Sequence, residues 1–146
     1  MDFNDSATEA AFRSAARSWL AEHAPAHEIG AGSKMTDIEE ADRGRAWMRE
    51  LFTGGWSGLT FPKALGGGGL TGSEAVIFSE EEGRYHLPKG PFTSIGTGMA
   101  LPVIAKHGND AQRAQFIEAT LNGDITWCQL FSEPAAGSDL AALRTK

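Results

Sequence analysis

The chain has 146 residues, enough for one domain with a buried core. Its formal net charge is −6 and it shows no basic stripe, so nucleic acid is not expected as a partner. The single cysteine, Cys128, excludes a disulfide framework and a cysteine-built metal site, and a reducing, cytoplasmic setting is the natural expectation. The first residues, MDFNDSATEAAF, have neither an apolar signal core nor an Arg-rich amphipathic start, and no apolar run approaches the length of a membrane span.

Ser6 or Thr8 is placed to cap a first helix reaching about His23. Phe12, Ala15, Ala16, Trp19 and Leu20 recur at helical spacing and predict its apolar face. Pro25 ends it, and a glycine-containing loop follows. Thr36 with Glu39 reads as a capping box opening a second helix to about Phe52, with Ala46, Trp47, Met48 and Leu51 turned inward. Gly54 and Gly55 stop that helix. Residues 56–70 are irregular and rich in glycine. Thr71 with Glu74 forms another capping box, for a more buried helix to about Gly83 that begins with Ala75, Val76, Ile77 and Phe78. Two prolines make residues 85–93 a loop. A fourth helix is predicted over residues 94–107, with Pro102 kinking it or displacing its start. Asn109 caps a fifth over residues 110–121, which offers Ala114, Phe116, Ile117 and Leu121 for packing. Beyond Asn122 and Gly123, the apolar run 125–131 reads as the one strand, broken by Pro134, which has no backbone donor.

Most of the reactive side chains have ordinary readings. The glycine run 66–69 lacks the context of either nucleotide-binding fingerprint and predicts a tightly turned surface loop. His23 and His27 are four apart, a spacing that suits a metal on a helix, but Pro25 breaks that helix between them; exposed histidines are expected. His86 and His107 stand alone. Glu80, Glu81 and Glu82 point in different directions on a helix, so they form no paired carboxylate site; a solvated face is expected, the alternative being that one turns inward while Arg84 pairs with another. Cys128 is expected to be a small buried hydrophobe. Tyr85, Phe92, Ile95, Met99 and Val103 suit either an acyl tunnel or plain core.

The segment WCQLFSEPAAGSD, residues 127–139, carries more. A strand end opens there into small residues and hydroxyls, Ser132 and Ser138, with Gly137 free to approach a ligand closely. A flat, phosphate-bearing ligand suits such an end, although a strand followed by a simple turn suits it as well. The segment resembles the flavin-binding signature of the acyl-CoA dehydrogenase family, T/S-E-P-G-A-G-S-D. Ala135 stands where that family usually has glycine, and Ser132 replaces a frequent threonine. Two upstream blocks add to the resemblance: FPKALGGGGLTGSEAVIFSEEEGRY at 61–85, and ALPVIAKHGNDAQRAQFIEATLNGDITWCQLFSEP at 100–134.

The resemblance implies an all-α fold, a helical bundle over residues 1–123, with the first strand and flavin turn of a middle β domain over 124–146. It also implies FAD as cofactor, an acyl-CoA thioester as substrate, oxidation of its Cα–Cβ bond, delivery of electrons to an electron-transferring flavoprotein, and a homo- or hetero-oligomer. Carried over by position, Gln129, Leu130, Phe131 and Ser132 would meet the flavin ring and its ribityl chain. Gly137 and Ser138 would approach the pyrophosphate, and Ser138 the CoA as well. The family's catalytic glutamate has no counterpart here, so no catalytic residue is assigned and the chain by itself is expected to be inactive. A non-catalytic partner subunit and a related flavin oxidase or monooxygenase are the alternatives.

Overall fold

Four capping boxes set the starts of the helices. In a computed structural model that describes residues 4–30, 32–134 and 136–145, α1 spans Ala7–His23, α2 Asp37–Thr53, α3 Gly72–Glu82, α4 Leu101–His107 and α5 Asp110–Leu121. Ser6, Thr36, Thr71 and Asn109 each accept from the backbone of the residue three ahead, and Glu9, Glu39, Glu74 and Gln112 reach back to the cap. Each box satisfies orphan donors of a first turn, and the four start points agree with the sequence expectation.

The fourth predicted helix is two pieces. Thr93–Ala100 is π-helical, and the Leu101 N–H bonds to the Gly96 carbonyl, five residues back. Two causes are local. Pro102 has no N–H for the ladder, and the Thr97 hydroxyl donates to the Thr93 carbonyl at 2.7 Å, taking the acceptor four residues back. Pro102 thus falls in the first turn of α4, where it is tolerated.

α1 packs on α3, and α4 on α5. One core gathers around Trp47, with Ala16, Leu20, Phe78 and Phe92, all buried. Aromatic rings tile its surface: Trp56 stacks on Phe78 at 5.0 Å, and Trp19 lies 5.8 Å from Trp47. A second cluster joins Leu101, Ile117 and Leu121. Packing differs from expectation at Ala15, Ala46, Val76 and Ala114, which are exposed. The glycine run turns tightly as expected. A Cβ on Gly67 would lie 2.4 Å from the Phe61 carbonyl oxygen, so only glycine fits there.

Glu81 and Glu82 correct the expectation of a solvated acidic face. Glu81 is 1% exposed, and Arg17 grips it at 2.8 and 2.9 Å, joined by Arg13 at 3.1 Å and Arg84 at 2.9 Å. Glu82 accepts from the Trp47 indole at 3.0 Å and from Lys89 at 2.6 Å. The helix turns the two carboxylates toward different neighbours, so they make no shared acid–base site. His23 and His27 are half-buried, not solvated. His23 stacks on Trp19 and meets Glu50 at 2.5 Å, while His27 lies against Trp47. Among the described residues no cluster of His, Cys, Asp and Glu could hold a metal ion, and no helix is long and apolar enough to cross a membrane.

The all-α class holds, but the strand expected at 125–131 is not formed. Among the described residues the only β pairing is an isolated bridge between Glu133 and Ala136. A strand exists through its ladder, and the backbone N–H and C=O groups of residues 126–132 find no partner among the described residues.

Candidate functional site

The C-terminal segment leaves α5 through Gly123, whose φ of +81 makes the turn. Arg45 holds the Gly123 carbonyl at 3.2 Å, and the Ile125 N–H returns to the Ala119 carbonyl at 3.0 Å. Trp127 is fastened to α5. Its indole N–H donates to the Thr120 hydroxyl at 2.9 Å, and its ring meets Phe116 edge-on at 5.5 Å. Gly96 of the π-helix lies beneath it: a Cβ there would come within 3.3 Å of both Trp127 and Thr120.

Beyond Trp127 the chain forms one wall of an open apolar groove of about 360 Å³. Ile95, Met99 and Val103 line the facing wall, and Leu130 and Phe131 the near one. The residues considered for an acyl tunnel therefore divide. Ile95, Met99 and Val103 face the groove, whereas Phe92 is 1% exposed in the core and Tyr85 packs against it. Leu130 is 87% exposed and Phe131 69%, unusual for such apolar side chains. Cys128 is exposed on this groove, not buried, because the segment that carries it has no strand neighbour to cover it. Among the described residues no carboxylate or imidazole lines the groove.

Gln129 and Ser132 are exposed and make no hydrogen bond to another described residue; the same holds for the exposed Gly137 and Ser138 on the next turn. Glu133 ties that turn closed. Its carboxylate accepts from the backbone N–H groups of Arg144 at 2.9 Å and Thr145 at 2.8 Å and from the Thr145 hydroxyl. These donors, the Thr145 hydroxyl first, hold its pKa below the ordinary value. Gly137 is not in the left-handed region, and a Cβ on it would meet no atom of the described residues within 4 Å. The turn itself does not require glycine, so what its missing side chain leaves is room. Ala135 lies outside the described residues.

The segment 129–132 and the turn 137–138, both singled out in the sequence, are thus accessible, with the segment on the groove and the turn beyond it. The sequence reading missed Thr120 and Gly96, which position Trp127. Thr120 follows Phe116 by four residues on α5, so helical spacing already put it on the inner face.

The sequence profile of the acyl-CoA dehydrogenase N-terminal domain matches residues 6–124. Over 137 residues the chain is 34% identical to the acyl-CoA dehydrogenase IpdE1 of Mycolicibacterium smegmatis, covering 92% of this chain and 35% of that protein. It aligns with a chain of the ChsE4-ChsE5 complex of Mycobacterium tuberculosis at a TM-score of 0.69 and 26% identity, over 99% of this chain and 35% of the other. The structure described as the Tcur3481-Tcur3483 steroid ACAD aligns at a TM-score of 0.68 and 27% identity, over 100% of this chain and 37% of that one. The chain therefore spans about a third or less of the length of the curated relatives it matches. With a profile running from the α1 cap to the turn after α5, and a relative alike over nearly all its residues, the chain belongs to the acyl-CoA dehydrogenase family.

Proposed function

We propose that this chain forms the helical domain and the flavin-facing edge of an FAD-dependent enzyme that oxidises the Cα–Cβ bond of an acyl-CoA thioester. One observation carries the reading. Residues 126–132 present a row of backbone donors and acceptors with no partner among the described residues, along the wall of an apolar groove. Such a row suits the polar edge of a flat heterocycle, and the groove suits an acyl chain. The residues fit the cofactor in kind: hydroxyls at Ser132 and Ser138 and open space at Gly137 for a phosphate to approach. When bound, the flavin would accept a hydride from the β carbon.

Gln129, Leu130, Phe131 and Ser132 would hold the ring and ribityl chain, and Gly137 and Ser138 the pyrophosphate, with Ser138 also near the CoA. Ile95, Met99 and Val103 would line the acyl chain and exclude water from it. With no acid or base on the groove, the α proton would leave to a group outside it. The described residues supply binding and orientation, and the chain alone should be inactive and should take FAD weakly or not at all. In this reading residues 1–123 form one domain and 124–146 open the next, and an electron-transferring flavoprotein takes the electrons.

A second reading, an unequal subunit of a hetero-oligomer, is favoured by the two-component names of the structural neighbours. Anaerobic addition of acyl-CoA to the flavin-loaded protein tests the proposal. Bleaching of the flavin absorbance is expected. Flavin that stays oxidised with every acyl-CoA contradicts the dehydrogenase, and peroxide release in air marks an oxidase instead.

A further inference from the structure

The apolar wall that faces Ile95 and Met99 begins at Trp127, and what holds Trp127 is a short relay of hydrogen bonds. The Thr120 hydroxyl donates to the Phe116 carbonyl at 2.6 Å, so its proton is committed. Its lone pairs then face the Trp127 indole N–H, which donates to it at 2.9 Å. Thr120 is 1% exposed, so water does not compete for either bond. Gly96 closes the other side, where a Cβ would press on both Thr120 and Trp127 at 3.3 Å. From residue 128 to residue 132 the backbone has no hydrogen bond to any other described residue. That stretch is held only at its two ends, by the Glu133 turn at one and at the other by Trp127, the end nearer the helices, and there through Thr120. A threonine with its proton committed inside the helix is an acceptor of fixed direction, which a valine of the same shape is not.

We propose that Thr120 is a positioning residue for cofactor binding: through the Trp127 indole it sets how residues 128–132 face the groove and hence how they meet the flavin. The inference rests on the flavin reading above and assigns the residue that orients that edge, although Thr120 itself touches no ligand.

The test compares Thr120→Val, Thr120→Ser, Trp127→Phe and the Thr120→Val/Trp127→Phe double variant in the flavin-loaded protein. FAD dissociation constants are measured after removal and readdition of the flavin, with the flavin absorbance spectrum recorded for each. Losing one neutral hydrogen bond predicts roughly three- to ten-fold weaker FAD binding for Thr120→Val and for Trp127→Phe. The double variant should be no weaker than either single, because both remove the same bond. Thr120→Ser keeps the hydroxyl and should restore wild-type affinity and spectrum. A merely structural role would lower the melting temperature without moving the spectrum, and that result overturns the proposal. So do unchanged affinities in both single variants, or losses that add in the double. A full-length wild-type protein carrying this chain that takes up no FAD overturns the flavin reading itself, and the positioning role falls with it; FAD uptake by that protein with no effect of Thr120→Val overturns the positioning role alone.

Discussion

Glu81 shows how one side chain can be misread and then explained. Three arginines surround it, Arg17 with two contacts, and Arg17's hydrogen bonds outweigh the opposing effect of burial to hold its pKa at about 2, below the usual 4.5. A depressed carboxylate pKa stabilises the fold above the unfolded value and loses that contribution as pH falls. Stability should therefore decline as pH drops from about 4.5 to about 2. Glu81→Gln should cost about 1–3 kcal/mol near neutrality, because Arg17 and Arg84 are more than half exposed and return to water while the partly buried Arg13 keeps Asp5 and Glu80. That cost should shrink toward zero at the acid end; denaturant melts of both proteins across the range check it. The clue was in the sequence: Glu81 follows Ile77 by four residues, and Arg13 and Arg17 are four apart on α1. Only the packing of α1 on α3 reveals that the two faces meet. Cys128 was misread for the opposite reason, since a strand was assumed to cover it. Its thiol should be labelled at once in the native chain, and Cys128→Ala should change stability by less than about 0.5 kcal/mol. In the flavin-loaded protein Ser138→Ala should weaken FAD or acyl-CoA binding by about 1.5–3 kcal/mol, more than Cys128→Ala does, as paired titrations would show.

At the level of elements, helix starts were legible and hydrogen-bond register was not. Capping boxes are local chemistry, complete within four residues: those at Thr36 and Thr71 stand where the sequence puts them, Asn109 caps as expected, and Ser6 rather than Thr8 caps α1. The π-helix depends on which carbonyl each N–H reaches, and apolar periodicity does not encode that. The strand depends on a partner, which no local pattern supplies. Helix ends can also hide a tertiary constraint. Gly54 closes α2 with an ordinary φ of −75, yet a Cβ on it would lie 2.5 Å from the Trp19 ring. Gly54→Ala should therefore displace Trp19 from the Trp47–Trp56 cluster and cost roughly 1–3 kcal/mol. A shifted tryptophan emission together with a lower denaturant midpoint is the expected result, and an unchanged midpoint would show that the ring moves freely.

At the scale of the whole molecule, four of the exposed large apolar side chains share one groove. Met99 and Val103 from the helices, and Leu130 and Phe131 from the segment, are 46%, 59%, 87% and 69% exposed around a single groove. A surface of that kind calls for a ligand or a partner. The purified 146-residue chain should bind a hydrophobic dye and self-associate, and Leu130→Asp with Phe131→Asp should reduce both; sedimentation of the two forms decides it. The central claim is that the unpaired backbone of residues 126–132 is the edge that meets the flavin. Hydrogen exchange of the protein that carries this chain, with FAD removed and then restored, tests that edge directly. The account predicts that amides of residues 128–132 and 137–138 become protected on FAD addition while those of α1 stay as they were. Equal exchange at these amides with and without bound FAD would contradict it.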